Sequence, residues 1–269
     1  METLIAQLAQ IKGALPASYS RMQCLEQCPC RFNLTYVHKP KDPVIRKVNL
    51  ETASGLVMHQ SFDECGKSKK PVSKDTFKQT VTHSGAGYRS DVQQHCSEIA
   101  DKAYDTYASA RSLLGEDALF LSEQRFVYNR NWKIYQPQDK FPKDAAWIGF
   151  ADVVVIKDDN GALVDYKTEA MSAERETAVA QQTDLYAEAV FDTYDNLNTL
   201  STYVAYVLDG SVNKKAEYSR ENLAELRERN KEMFSRYLHG LLGRTIWEPR
   251  KGPYCRWCKF NKGFGCTAA

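Results

Sequence analysis

Gly149-Phe150-Ala151-Asp152-Val153-Val154-Val155-Ile156-Lys157-Asp158-Asp159-Asn160-Gly161-Ala162-Leu163-Val164-Asp165-Tyr166-Lys167 is the stretch that decides the fold. Its apolar runs read as two buried strands, Trp147 to Ile156 and Leu163 to Thr168. Asp158-Asp159-Asn160-Gly161 between them is a strong hairpin-turn signal. A tight turn near Asn160-Gly161 folds the second strand back on the first. Residue counting then brings Asp152 and Asp165 within a few positions of each other, with the register open by one or two residues. Side chains alternate along a strand, so Asp165 and Lys167 point the same way.

Both aspartates sit among Val153, Val154, Val155, Ile156, Leu163 and Val164. Burying two carboxylates side by side is costly unless something compensates. A hard divalent cation does so, and Mg²⁺ or Mn²⁺ prefers oxygen donors. A lysine two residues beyond a metal-bound aspartate can stabilise phosphate charge or orient an attacking water. This is a layout for metal-assisted phosphodiester hydrolysis. D-x-K alone is common as surface charge; the upstream G-x-x-D on the partner strand gives the pair its weight.

Outward from this pair, the N-terminal side reads as helical. Ser20 and Gln23 have capping-box spacing for a helix running to about Tyr36, with Leu25, Cys28, Phe32 and Tyr36 on one face. Pro40 and Pro43 end it. Further helices are expected from Glu51 to Cys65 and from Asp91 to Leu114, with the Lys-rich stretch between them, up to Gly87, as loop. Ala118 to Tyr128 and Trp132 to Tyr135 read as a hairpin. On the C-terminal side, Glu174 to Phe191 reads as helix and Thr202 to Leu208 as strand. Ser219 to Leu238 reads as an amphipathic helix. Helices flanking a small mixed sheet make an α/β core.

The 269 residues carry 43% hydrophobic and 26% charged side chains, ordinary for a globular chain, and a net charge of only +2. Basic residues nevertheless crowd two segments: Lys67, Lys69, Lys70, Lys74 and Lys78, then Lys214, Lys215, Arg220, Arg227, Arg229, Lys231, Arg236, Arg244, Arg250 and Lys251. Such patches suit phosphate contact, and equally suit solvated helix faces with interspersed acids. The N-terminus lacks signal-peptide character, and no stretch approaches the roughly 18 apolar residues that span a bilayer. A cytoplasmic location without membrane association is the expectation.

Eight cysteines in a reducing compartment point to metal or redox chemistry rather than disulfides. Cys255-Arg256-Trp257-Cys258, followed by Cys266, reads as three ligands of one metal centre that needs a fourth. Cys24, Cys28 and Cys30 are the nearby rivals for that place. Cys65 and Cys96 read as simply buried.

Four motifs in order resemble the RecB-like branch of the PD-(D/E)XK nuclease superfamily, which includes the AddB and CRISPR-associated RecB-like exonucleases. They are Gly55-Leu56-Val57-Met58-His59 (G-x-x-x-H), Gly149 to Asp152 (G-x-x-D), Asp165-Tyr166-Lys167 (D-x-K), and Gln182-Thr183-Asp184-Leu185-Tyr186 (Q-x-x-x-Y). The resemblance implies a restriction-endonuclease-like core at 51–210 in a single nuclease domain covering 1–269. It implies His59, Asp152, Asp165 and the Tyr166 carbonyl as Mg²⁺ or Mn²⁺ ligands. Lys167 is then the catalytic lysine, and Gln182 and Tyr186 face the active site. Gly55 would let its helix approach the sheet closely. Glu123 is a candidate extra acid, although a strand glutamate is usually just exposed.

Glu26-Gln27-Cys28-Pro29-Cys30-Arg31-Phe32 resembles the family's N-terminal C-P-x-R-F segment. By that resemblance Cys28 joins Cys255, Cys258 and Cys266 around a [4Fe–4S] cluster, tying 18–40 to 240–269. The x7 spacing before Cys266 is longer than the usual x5, and a Cys₄ zinc site is the chemical rival. The expected activity is a metal-dependent DNA exonuclease acting on ends or single strands. With no Walker A motif, it works alone or with a separate helicase, recombinase or integrase. The alternatives are a non-catalytic DNA-binding protein with a structural Cys₄ site and a zinc-stabilised RNA-processing factor.

Overall fold

The computed structural model describes residues 15–40, 49–136, 140–168, 173–242, 246–260 and 266. The N-terminal stretch 1–14, Pro43 and Arg244 lie outside the described residues.

The first helical segment is two helices, α1 (Tyr19–Gln27) and α2 (Pro29–Phe32), the second continuing into a π-helical turn, Asn33–Val37. The single helix expected there breaks at Cys28, whose backbone is extended at φ −160° and ψ 102°. Its N–H closes α1 on the Cys24 carbonyl, and its Sγ caps α2 by accepting from Arg31 N. Pro29 at the first helical position fixes the restart. The N-cap of α1 is Ser18 rather than Ser20: its hydroxyl accepts from Arg21 N.

Helix α3 (Leu50–Gly66) is capped by Asn49, whose Oδ1 accepts from Thr52 N at 2.8 Å. The Lys-rich stretch expected as loop contains helix α4 (Lys74–Gly85). Ser73 caps it, and Phe77, Val81 and Ser84 form a buried stripe at helical spacing. Lys74 and Lys78, paired with Asp101 of the next helix, and the lysines before the helix obscure that stripe to a composition-based reading. Helix α5 (Ser90–Arg111) follows.

The strands are β1 (Leu119–Asn129), β2 (Ile134–Tyr135), β3 (Ala145–Lys157) and β4 (Asn160–Lys167). After helix α6 (Ala173–Thr193) come β5 (Thr199–Tyr206) and β6 (Ser211–Ser219), a 3₁₀ turn at Arg220–Asn222, helix α7 (Leu223–Leu241) and a 3₁₀ turn at Pro253–Trp257. The six strands form one mixed sheet in the order β2-β1-β3-β4-β5-β6. The β4–β5 pair is parallel, which requires the crossover that α6 supplies. Strand β6 was not anticipated. Its residues are mostly exposed or half-buried, including Lys214 and Lys215, as suits a strand at the sheet edge.

The β3–β4 ladder runs from Val153↔Val164 to Lys157↔Asn160. The loop is therefore Asp158-Asp159, with Asp158 in the left-handed region at φ 54°, and not Asn160-Gly161. Gly161 lies within β4 opposite Ile156, where a Cβ would come 2.8 Å from Leu200 Cδ1. Its glycine character serves packing rather than the turn. Continuing the register one pair beyond Val153↔Val164 sets Asp152 opposite Asp165.

By its contacts the chain divides into two compact units. One comprises residues 48–125 and 150–224. In it, α3, α4 and α5 cover the sheet face that carries Val153, Val155, Val164, Tyr166 and Ala205. The Tyr166 ring stacks on Phe62 of α3 with centroids 4.0 Å apart. On the alternate face of β5, Val179 of α6 packs against Val204 and Tyr206.

The other unit comprises residues 1–47, 126–149 and 225–269. Its aromatic packing centres on Phe32, stacked on Trp247 and edge-on to Tyr237. A second group joins Tyr128, Trp132 and Phe234. Ala17 bridges to Trp147 in parallel. Among the described residues, no helix is long and apolar enough to cross a membrane.

Candidate active site

Helix α3 explains how the site assembles. Gly55, His59, Asp63 and Gly66 recur at helical spacing and so share one face. A Cβ on Gly55 would lie 3.0 Å from Thr168 Oγ1, just past the end of β4. His59 Nδ1 lies 3.3 Å from Asp152 Oδ1 on β3. Ser122 Oγ of β1 donates to Asp63 Oδ1 at 3.0 Å, and a Cβ on Gly66 would meet Ser122 Cβ at 2.7 Å. One helix face thus crosses β4, β3 and β1 in turn, which is their order in the sheet. The two glycines permit the close approach that the carboxylates and the histidine need.

That crossing brings His59, Glu123 and Asp152 together, each offering a donor atom within 4.8 Å of the others. Glu123 stands beside the Ser122 clamp with φ 49°, a left-handed conformation uncommon for a side-chain-bearing residue. Asp152 Oδ2 accepts from the Tyr166 amide at 2.7 Å. Asp165 is only 7% exposed, and its Oδ2 lies 2.6 Å from Lys167 Nζ. Gln182 Nε2 donates to the hydroxyl of buried Tyr186 at 3.3 Å. That same hydroxyl is hydrogen-bonded by the Phe150 backbone.

The electrostatics are those of an acidic cluster short of positive charge. Burial raises Glu123 to about 7, with the neighbouring Asp152 charge adding to the shift. Burial also raises Asp165, against the pull of Lys167 and with the push of Asp152. For Asp152 burial works the same way, but His59, Lys167 and the Tyr166 amide outweigh it and hold the carboxyl low. Burial would lower His59, yet the Asp152 carboxylate carries it up to about 9. The imidazolium therefore supplies charge where the donor set would accept a cation. One nitrogen and several carboxylate oxygens converging on one point fit a hard divalent ion.

Of the predicted site residues, His59 and Asp152 meet directly, Asp165 pairs with Lys167, and Gln182 bonds to Tyr186. His59 and Asp152 join the donor cluster with Glu123, the acid that its strand position made easy to discount. Asp165 and Lys167 pair beside it. The basic segments are partly neutralised: Lys67 pairs with Asp63, Lys74 and Lys78 with Asp101, and Lys214 with Glu217.

In the other unit, Cys28, Cys30, Cys255, Cys258 and Cys266 line one small cavity with Arg31, Leu34, Tyr254 and Phe260. Cys28 Sγ accepts from the amides of Arg31 and Arg250, both at 3.4 Å, and Cys255 Sγ accepts from Gly252 N at 3.4 Å. Cys30 lines the same cavity, its thiol pushed up to about 11 by burial and then by Cys266. Cys24 is buried but does not line the cavity. Cys65 and Cys96 are buried in the helical core of the unit comprising 48–125 and 150–224.

A family model described as the PD-(D/E)XK nuclease superfamily matches residues 16–262. The chain belongs to that superfamily. Its members are nucleases that use divalent metals and act on DNA, and the mixed sheet flanked by helices is the fold class expected of one. Among curated proteins, none matches the chain at a significant level.

Proposed function

We propose that this chain is an Mg²⁺- or Mn²⁺-dependent deoxyribonuclease, an exonuclease acting on DNA ends or single strands. The observation that carries the reading is the convergence of His59, Glu123 and Asp152 within 4.8 Å beside the Asp165–Lys167 pair. These three residues would hold the ion, with Asp165 and the Tyr166 carbonyl. A strand residue sends its N–H and C=O to the same side, so the Tyr166 amide bond to Asp152 supports that carbonyl facing the same way. When bound, a divalent ion neutralises phosphate charge and makes bound water more acidic.

The protein's own groups do the positioning. Lys167 Nζ is tethered by Asp165 yet about one-third exposed, so it can meet a phosphate oxygen or an attacking water. Gln182 fixes the Tyr186 hydroxyl, which in turn holds the main chain two residues before Asp152. His59 must give up its proton for the imidazole nitrogen to act as a ligand.

In the same reading Cys28, Cys255, Cys258 and Cys266 hold a [4Fe–4S] cluster. Support comes from their shared cavity and from the amide N–H donors aimed at Cys28 and Cys255. Such hydrogen bonds to sulfur are among the factors that tune thiolate-held clusters. A cytoplasmic enzyme working alone, or beside a separate helicase, recombinase or integrase, is consistent with this design.

The test is cleavage of end-labelled single- and double-stranded DNA with Mn²⁺, alongside iron and zinc analysis. Shortening from an end by the native chain, lost in Asp165→Ala with DNA binding retained, is the expected result. No metal-dependent cleavage of any DNA would refute the reading. Zinc without iron would replace the cluster with a Cys₄ zinc site.

A further inference from the structure

Phe150 is 49% exposed on a strand whose neighbours Ala151, Val153 and Val154 are buried. It lies two residues before Asp152, so both side chains leave the same face of β3. Its main chain is anchored by the buried Tyr186 hydroxyl, itself held by Gln182. The backbone is thus fixed while an apolar ring is left in water beside a proposed metal ligand. No ring of the described residues stacks on it. Leu56, 53% exposed, stands three residues before His59 and so near the same face of α3. Large apolar side chains left in solvent next to two members of one donor cluster call for a common partner.

From this geometry we infer that Phe150 is a platform on which a nucleobase next to the scissile phosphate stacks, which selects single-stranded DNA. The inference rests on the DNA-hydrolase reading above and adds the strand form. Every base has an aromatic face, so a lone phenyl ring accepts any base without reading sequence. In a duplex both faces of an internal base are already occupied by its neighbours. Only an unstacked base can lie on the ring, while its phosphate reaches the acidic cluster two residues along the strand. Phe150 is a positioning residue here: it holds the base and takes no part in proton transfer.

The experiment compares two single strands of equal length with the full chain and Mn²⁺, one a thymidine oligomer and the other its abasic tetrahydrofuran analogue. Phe150→Ala should lower kcat/KM on the thymidine strand by about 5- to 150-fold, the range expected for losing one base–aromatic stack. Most of that fall should appear in KM. The abasic strand has no base to stack, so the native preference for thymidine over abasic should collapse. Phe150→Trp should restore it. An equal fall on both strands, or no fall on either, overturns the platform and leaves the hydrolase reading standing. If the native chain cuts neither strand but degrades duplex DNA, the platform alone is overturned; if it cuts no DNA at all, the hydrolase reading goes and the platform with it.

Discussion

Replacing Glu123 by Gln should stabilise the metal-free protein and weaken its response to metal, two effects of opposite sign from one atom-for-atom exchange. Burial and the Asp152 charge raise the Glu123 carboxyl from 4.5 to about 7. A rise of that size opposes ionisation by about 3 kcal/mol, and solvent screening at this part-exposed position reduces the effect to about 1–2 kcal/mol. The folded state then holds a proton that the unfolded chain has lost between pH 4.5 and about 7. Its stability therefore falls as pH rises through that window. The amide carries no charge, so Glu123→Gln should match the native protein below the window and exceed it above. For a chain of this length the gain corresponds to a melting temperature higher by about 2–6 °C in chelator. With Mn²⁺ the order should reverse if the native carboxylate is a ligand as proposed, because bound metal stabilises the fold by mass action. Thermal melts at low and at mildly alkaline pH, in EDTA and in Mn²⁺, read both effects. A variant no more stable than the native chain in EDTA at the higher pH, or one with an undiminished metal shift, would remove Glu123 from the cluster.

Lys167→Ala leaves the buried Asp165 carboxylate without its 2.6 Å partner. It should cost about 3–5 kcal/mol near neutral pH, less as acid protonates Asp165, with cleavage reduced at least ~100-fold; urea titrations and initial rates measure the two. Gly161→Ala should destabilise by about 1–3 kcal/mol without changing metal affinity, because its Cβ would press on Leu200 and Leu197 in the interior. At the proposed cysteine metal site, Cys28→Ala should abolish metal binding and Cys30→Ala should keep it, since the amide donors are aimed at Cys28; metal analysis giving the reverse would reassign the fourth ligand.

Much of the fold follows from the period of apolar residues. The paired strands around Asp152 and Asp165 were legible because their runs are long and the turn between them is short. The loop moves from Asn160-Gly161 to Asp158-Asp159, and the ladder then ends at Val153↔Val164, the pair next to Asp152 and Asp165. Helix α4 was hidden because five lysines in and before it suggested solvent-exposed coil, while four buried positions were enough to dock it. Strand β6 was hidden because an edge strand takes its backbone hydrogen bonds from β5 and needs little apolar surface of its own.

The site divides along the same physical line. Motif spacing picks out His59, Asp152, Asp165 and Lys167 because their backbone frames are regular helix and strand. Glu123 follows a different logic. Its left-handed backbone breaks the two-residue alternation from which a strand residue's face is read. What places it is the contact of Gly66 and Asp63 with Ser122, a packing relation between residues about sixty positions apart. No local pattern encodes that relation. Phe150 shows the same limit from the other side: within an apolar strand a phenylalanine reads as core, and only the finished sheet shows its ring left in solvent beside Asp152. The regular frame thus supplies the acid pair and its lysine, and long-range packing adds the third carboxylate and the exposed ring. A cluster so built should be sensitive to changes at Gly66 and Ser122, whose packing sets where Glu123 stands.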